Sequence, residues 1–407
     1  LLSFYHPFFI VYGILLLLLI YVVFKYTAQR GLDTSLDESK SKYKVAHWIQ
    51  EVARSIVSFK LSGKTSHALD KNDTLVVGYL NARESHFRVL VLQFIQMIGF
   101  KVLVTGGLLL IGGLLVLNQE MNIGQFVAAE IIILLVINSV EKLILGLETF
   151  YDLLTSLEKM GQVVDKELEP QEGEKPFIEN QPFTIELSDV SYSVPQPKRL
   201  IISNLDLTIT PNCTILLRGK SGSGKNTLLR IIAGILEPDS GGVYVNGVSL
   251  KGMNLNYYRS HLGQSLPEES PFEGTILDNI TFGDKNTTNE QVYWALDKVG
   301  LTEFVKKQPD GLNTVLYPEG KQIPYTISKK IVLARSIVRK PKLLILKDPL
   351  DQFNTEEADR ILNFLSDSSN GWALLVVSES DKWIKKCSRI ITMDKGRIVN
   401  EIKGKDA

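Results

Sequence analysis

The chain has 407 residues with 45 basic and 45 acidic side chains, so it carries no formal net charge. That length accommodates two or three domains, and the charge balance argues against a generic nucleic-acid binder. The two cysteines, Cys213 and Cys387, are too few for a disulfide framework and read as buried thiols of a reducing compartment.

Apolar residues concentrate before residue 150. Phe8 to Phe24 runs without a charge and, with its flanks, is long enough to cross about 30 Å of hydrocarbon. A second apolar stretch covers Val89 to Leu117, with Lys101 as its one charge. A third covers Ile123 to Val140, with Glu130 as its one charge. These predict a helical membrane domain over 1–165, with spans at about 7–27, 89–117 and 123–147. Lys25 and Arg30 follow the first span, residues 31–88 are rich in Lys and Arg, and the turn Asn118–Asn122 has neither. The positive-inside rule therefore puts the polar segment in the cytoplasm and the turn outside. With a cytoplasmic C-terminal domain, three spans leave the N-terminus outside, so three further spans are expected before Leu1.

Within the polar segment 28–88, Val45, Trp48, Ile49, Val52, Ile56 and Phe59 recur at helical spacing. A helix continuing from the membrane to about Lys60 would project roughly 50 Å as a stalk. Lys101 and Glu141 are about equally far from the outer turn and are expected at similar depth, where intramembrane charges pair or face a cavity. Snorkelling of Lys101 to the cytoplasmic surface is the alternative. Glu130 lies higher and is a candidate for a cargo or partner contact.

Residues 166–182 are charged and contain proline, and read as a linker. From 183 to 407 short β runs alternate with helical patterns. Thr214–Arg218 is an apolar strand, Gly219–Lys225 a glycine-rich loop, and Asn226–Leu236 a helical pattern. Strand, loop and helix in this order are the context of a P-loop. Its backbone amides curl around phosphates at a helix N-terminus and its lysine supplies a point charge. The candidate ligand-binding residues are Gly219, Ser221, Gly222, Ser223, Gly224, Lys225, Asn226 and Thr227. No residues suggest a metal cluster.

From Ile185 to Lys403 the chain resembles an ABC transporter ATPase domain. The segments PDSGGVYVNG (238–247), FEGTILDNI (272–280), IVLARSIVRKPKLLIL (331–346) and IITMDKGRIV (390–399) match that family's landmarks in order and spacing. The preceding part resembles the last three spans of an exporter-type half-transporter. The fold implied is an α-helical transmembrane domain followed by an α/β P-loop NTPase domain. The segment around Lys60–Lys64 resembles the family's second coupling helix, which implies docking on a nucleotide-binding domain. The resemblance also implies a homodimer or a heterodimer with another half-transporter, in a bacterial-type inner membrane.

The departures from the family pattern are numerous. The residue after the Walker A lysine is Asn226 where the family has Ser or Thr, and Thr227 is turned about 100° away on the helix. The adenine-stacking aromatic aligns with Val194 and the Q-loop glutamine with Pro267. The LSGGQ signature aligns with Ile323–Ile327. The Walker B aspartate aligns with Lys347, and the catalytic glutamate with Asp348. The D-loop aligns with Asp351–Asn354, and the switch histidine with Glu379. Phosphoryl transfer needs a positioned Mg²⁺, an oriented water and neutralised charge. Mg²⁺ prefers oxygen ligands, and Lys347 puts a cation where an anion is expected. The catalytic candidate is Asp348, one methylene short of its counterpart. These replacements leave ATP binding open and disfavour Mg²⁺. Two readings follow. One is a structural or regulatory membrane subunit with impaired hydrolysis. The other is an active ATP-driven exporter of peptide, protein or lipid-like cargo, working with the bilayer and a periplasmic adaptor.

Overall fold

A computed structural model describes residues 8–63, 65–176 and 182–404, without the side chains of residues 8, 9, 19 and 22–24. It divides into two compact units, Leu1–Leu168 and Glu169–Ala407.

The first unit is helical: α1 (Phe8–Arg54), α2 (Ile56–Leu61), α3 (His67–Leu117) and α4 (Ile123–Val164). The expected stalk helix bends earlier than Lys60. At Ser55 the backbone leaves helical values (φ −103°, ψ 23°), in a run of Ser and β-branched residues that hold a helix weakly. Trp48 organises the tip of the resulting hairpin. Its indole donates to the Ala68 carbonyl at 3.1 Å, its ring meets Phe59 edge-on, and Lys71 sits 4.1 Å above it. Lys64, part of the expected docking segment, lies outside the described residues, as does Pro7 at the start of the first expected span.

Helices α3 and α4 are each long and apolar enough to cross a membrane. Their buried positions recur every three or four residues: Met97, Phe100, Val104 and Leu108 on α3, and Ala129, Ile133, Ile137, Val140 and Ile144 on α4. These pack with Tyr12 and Leu16 of α1 into one core, while Val102, Leu110 and Leu135 stay exposed, as lipid-facing positions do. Where small residues occur the helices approach closely. A side chain at Gly112 would collide with Phe126, and one at Gly31 with Tyr151. Asn122 opens α4 through a reciprocal capping box with Gln125. Glu130 is half-buried. The Lys101 ammonium donates to the Glu141 carboxylate, so pairing rather than snorkelling satisfies both charges.

The second unit has two main sheets. One is antiparallel, with β1 (Ile185–Pro195), β2 (Lys198–Ile209), β4 (Ser240–Val245) and β5 (Val248–Ser249) in the order β2-β1-β4-β5. The other runs β12-β11-β3-β10-β9-β6. Its strands are β3 (Thr214–Arg218), β6 (Leu262–Ser265), β9 (Leu343–Lys347), β10 (Ala373–Val377), β11 (Arg389–Asp394) and β12 (Arg397–Lys403). All are parallel except β12. Side chains alternate across this sheet. Ile215, Leu217, Ile345 and Leu375 enter a core shared with the antiparallel sheet and with α5 (Lys225–Ile232). Leu216, Leu344, Leu346 and Leu374 enter a second core with α7 (Ile276–Thr281), α8 (Asn289–Val299), α10 (Tyr325–Ile337) and α11 (Thr355–Leu365). Both faces are covered, which is why these strands read as unbroken apolar runs. A two-stranded ribbon, β7 (Gly274–Thr275) with β8 (Val315–Leu316), completes the unit.

Two local readings change. The helix expected over Asn226–Leu236 spans Lys225–Ile232, because Gly234 turns left-handed (φ 68°) and ends it. Residues 169–174, read as linker, are strapped to the second unit. Glu169 forms a two-pronged pair with Arg259 at 2.7 and 2.6 Å, and Glu174 exchanges backbone hydrogen bonds with Gly252 and Asn254. Residues 177–181 of that segment lie outside the described residues. Cys213 and Cys387 are free and buried, and burial pushes the Cys387 thiol up to about 12.

The Lys101–Glu141 pair makes a direct prediction. Lys101→Ala or Glu141→Ala alone leaves one charge unpaired among apolar helices and should lower stability in detergent by about 1–3 kcal/mol. The double substitution should be less damaging than the sum of the two. Thermal unfolding of the four-member cycle reads this coupling directly.

Candidate nucleotide site

Strand β3 ends at Arg218, the loop Gly219–Gly224 follows, and α5 opens at Lys225. Two glycines are required by both conformation and space. Gly219 has φ 145° and Gly224 φ 99°. A Cβ on the first would stand 2.2 Å from the Met393 carbonyl oxygen, and on the second 2.8 Å from Ile202 Cδ1. The Gly396 amide donates to the Ser223 carbonyl at 3.0 Å and so braces the loop from the turn between β11 and β12. Lys225 folds back over the loop. Its ammonium donates to the Gly219 carbonyl, to the Lys220 carbonyl at 2.9 Å and to the Ser223 hydroxyl at 3.4 Å. Ser221 and Gly222 are exposed on the loop, and Asn226 and Thr227 are half-buried on the first turn of α5.

Two strands away lies Lys347. The rows Leu217–Val377 and Val377–Lys347 pair across β3, β10 and β9, so Lys347 stands at the same edge of the sheet as the start of the loop. By strand alternation it shares the face of Ile345, the face on which α5 packs. Its charge reaches Lys225, whose ammonium is pushed below the usual lysine range first by burial and then by Lys347, against the opposite pull of Glu379 and Asp348. Lys347 forms no ion pair among the described residues, with Asp348 or any other acid.

Asp348 follows in a left-handed conformation (φ 43°). Its amide donates to the Val377 carbonyl at 2.8 Å, which fixes the turn. Burial pushes its carboxyl above the usual aspartate range. Lys347, the Ser378 hydroxyl and Lys329 oppose that rise, while Asp351 adds to it. Glu379 is drawn towards Arg218. The guanidinium stands 3.9 Å from the Glu379 carboxylate, donates to its backbone carbonyl at 3.2 Å, and pairs with Asp381 at 3.1 Å.

The turn after β6 carries two acidic residues with separate partners. Glu268 pairs with Arg230 of α5. Glu269 accepts from the Leu266 amide at 3.1 Å and faces Arg335 of α10 at 3.9 Å. Arg335 also donates to Asn279 at 2.7 and 2.9 Å and lies over the Phe282 ring. At the start of α10, Pro324 takes the N-cap position, Tyr325 is exposed, and Ile323 and Ile327 pack on the second core.

Residues 202–351 match the ABC transporter family. The chain is 32% identical over 236 residues to the ABC multidrug transporter MDR2 of Trichophyton interdigitale, covering 57% of this chain and 18% of that protein. It is 27% identical over 340 residues to the alpha-hemolysin translocation ATP-binding protein HlyB of Escherichia coli, covering 82% of this chain and 47% of HlyB. Its fold matches a bacterial Atm1-family ABC exporter solved with ATP bound, with a TM-score of 0.84 at 16% identity, over 97% of this chain and 69% of the other. Residues 202–351 thus carry an ABC transporter domain, and the chain as a whole has the fold of an ABC exporter. It spans less than a fifth of the fungal relative and about half of HlyB.

For an ABC transporter domain the site is unevenly kept. The cradle is intact in shape: the loop amides, Lys225 and the N-terminus of α5 could hold phosphate oxygens. The donors for Mg²⁺ do not fit. A hard cation needs oxygen ligands, normally including a carboxylate, yet the end of β9, two strands from the loop, presents Lys347. Burial disfavours ionisation of Asp348, and Glu379 stands 3.9 Å from Arg218. Among the described residues no acidic or imidazole cluster could hold a metal. Lys347, Asp348 and Glu379 converge electrostatically on Lys225. Val194 lies at the end of β1, Pro267 in the turn after β6 and residues 323–327 at the start of α10. Sequence reading missed Arg218 and Ser378. A basic residue directly before the loop, with acidic residues at 379 and 381, was the available signal.

The turn at Asp348 yields a prediction. Asparagine tolerates the left-handed conformation and carries no charge, so Asp348→Asn should fold at least as stably as the wild type at pH 7. Asp348→Ala should lose about 1 kcal/mol to backbone strain. The native carboxyl is raised above its ordinary 3.8. Its relative contribution is therefore present below that value and is lost as pH rises through the folded value. The advantage of Asp348→Asn should accordingly grow with pH across the carboxylate range and then level off. Thermal unfolding from pH 4 to 7 measures it.

Proposed function

We propose that this chain is the membrane subunit of an ABC-type exporter whose nucleotide-binding unit hydrolyses little or no ATP and serves a structural or regulatory role in an inner-membrane complex. The observation that carries the proposal is the charge at the strand ends. Two ammonium groups, Lys225 and Lys347, share one face of the sheet where transfer chemistry calls for a metal held by anions. Of the acids beside them, Asp348 is buried enough that ionisation is disfavoured, and Glu379 is drawn towards Arg218. A displacement of about 1 Å in such a group can lower a rate about 100-fold, and here several positions are affected together.

A partner chain is expected, as a homodimer or a heterodimer with another half-transporter. In that family each site joins the P-loop of one subunit to the signature of the other. This chain would offer Pro324 and Tyr325 at the start of α10 to one site and its altered loop surroundings to the other, so both would be weakened. The distribution of Lys and Arg supports an orientation with the nucleotide-binding unit in the cytoplasm, and the likeness to HlyB of Escherichia coli supports a bacterial-type inner membrane.

A second reading, an active ATP-driven exporter assisted by a periplasmic adaptor, is favoured by the intact glycine cradle and by the likeness to HlyB. Steady-state ATP turnover of the chain in lipid nanodiscs separates the two. The expected result is turnover with Mg²⁺ indistinguishable from that of Lys225→Ala. Turnover that is Mg²⁺-dependent and abolished by Lys225→Ala would establish the second reading.

A further inference from the structure

The residues around the loop are poorly suited to a metal and well suited to a bare anion. Three glycines with positive φ, at 219, 222 and 224, curl the loop ahead of the N-terminus of α5. Lys225 already covers this concavity with three hydrogen-bond contacts, so its ammonium is where an incoming oxyanion would lie. Lys347 is the second cation. It stands at the end of β9 in the row of Leu217 and Val377, about 10 Å across two strand spacings from β3. It lies on the α5 side of the sheet, and its charge is felt at Lys225. Unlike Lys330, which is neutralised by Glu357 at 2.7 Å, Lys347 has no ion-pair partner among the described residues.

Of the acids that face this region, Glu379 and Asp348 both attract Lys225. Arg218 offsets Glu379 and Asp381. Burial disfavours ionisation of Asp348. Two like charges on one half-buried face repel each other, and an anion between them relieves that repulsion. A divalent cation would add to it.

We propose that this unit takes its ligand as a metal-free polyphosphate anion, such as a nucleoside tri- or diphosphate, with Lys225 and Lys347 together supplying the positive charge that a divalent cation would otherwise bring. The proposal rests on the reading of the loop as a nucleotide site and is independent of whether ATP is turned over. Lys225 takes the phosphate nearest the loop amides, and Lys347 takes the distal one. Arginine at 347 retains the charge and hydrogen-bonding capacity, whereas methionine retains the aliphatic stem and removes both. An aspartate at 347 would supply the missing carboxylate and invert the metal requirement.

The test is equilibrium binding of ATP to the 407-residue chain in lipid nanodiscs, with excess EDTA and with Mg²⁺, alongside ligand-free thermal unfolding to show that each variant is folded. The wild type should bind with affinities within about threefold in the two buffers. Lys347→Met should weaken binding in EDTA by roughly ten- to a hundredfold, the usual range for losing a charged hydrogen bond. Lys347→Arg should keep most of it, and Lys347→Asp should bind measurably with Mg²⁺ alone. Binding of the wild type only with Mg²⁺, binding in EDTA unaffected by Lys347→Met, or no binding in either buffer would each overturn the inference. ATP turnover followed in the same samples judges the proposed function separately. Metal-dependent binding without turnover overturns this inference alone, and metal-free binding accompanied by turnover overturns the proposed function alone.

Discussion

A parallel sheet covered on both faces must alternate its side chains between two cores and end its strands along a common edge, and every group around the glycine loop inherits its place from that constraint. Leu217, Val377 and Lys347 form one row of β3, β10 and β9. The residues that follow them, Arg218, Ser378 and Asp348, are therefore delivered to one line at the carboxyl edge, the crevice in which open α/β sheets bind ligands. The alternation then decides which side each faces. Shifting β9 by a single residue would carry Lys347 to the α10 face and place Leu346 beside α5. The four residues before Lys347 are all fully buried, Leu344 and Leu346 in one core and Leu343 and Ile345 in the other, so Lys347 is the residue of β9 whose placement such a slip would change most.

The same scaffold carries a charge arrangement that differs from what transfer of a phosphoryl group requires. The compensation is local and pairwise. Arg218 answers Glu379 and Asp381, Arg230 answers Glu268, Arg335 answers Glu269, and Lys330 answers Glu357. Each pair ties a segment bordering the loop to a helix or strand of the core. Glu268 and Glu269, adjacent in one turn, hold α5 and α10 respectively, so the turn after β6 links the helix behind the glycine loop to the helix that opens at Pro324. These contacts are mostly part-exposed and individually weak. Together they link the segments around the site to the surrounding helices and strands.

The fold was legible because it rests on periodicity. The strand at 214–218, the glycine loop and the apolar membrane stretches follow from spacing, and the landmark segments fixed the order of the second unit. The departures at 347, 348 and 379 were legible as substitutions, but their partners were not. Arg218 and Glu379 are 161 positions apart, and nothing local ties them. Ser55 and Gly234 each cut short a helix that the apolar pattern alone would have extended, because one residue's backbone preference outweighs a weak repeat. Composition likewise suggested a free linker at 166–182, whereas Arg259 and Asn254 give residues 169–174 fixed partners. A charged, proline-containing segment reads as solvated only until an opposite charge is found in the fold.

The membrane unit solves a related problem with opposite means. Among its helices a lone charge has little water to solvate it, so Lys101 and Glu141 are held against each other from α3 and α4. Around the glycine loop, by contrast, Lys347 shares a face with Lys225 and forms no ion pair among the described residues. Burial raises the free energy of the charged form in both settings, and an internal partner is the usual remedy. Where the chain supplies that partner, as at Glu141, the pair is a packing device between helices. Where it withholds one, as at Lys347, the unspent positive charge remains available to something outside the chain. That asymmetry, rather than the glycine loop alone, separates a retained binding surface from a turn kept only for its shape.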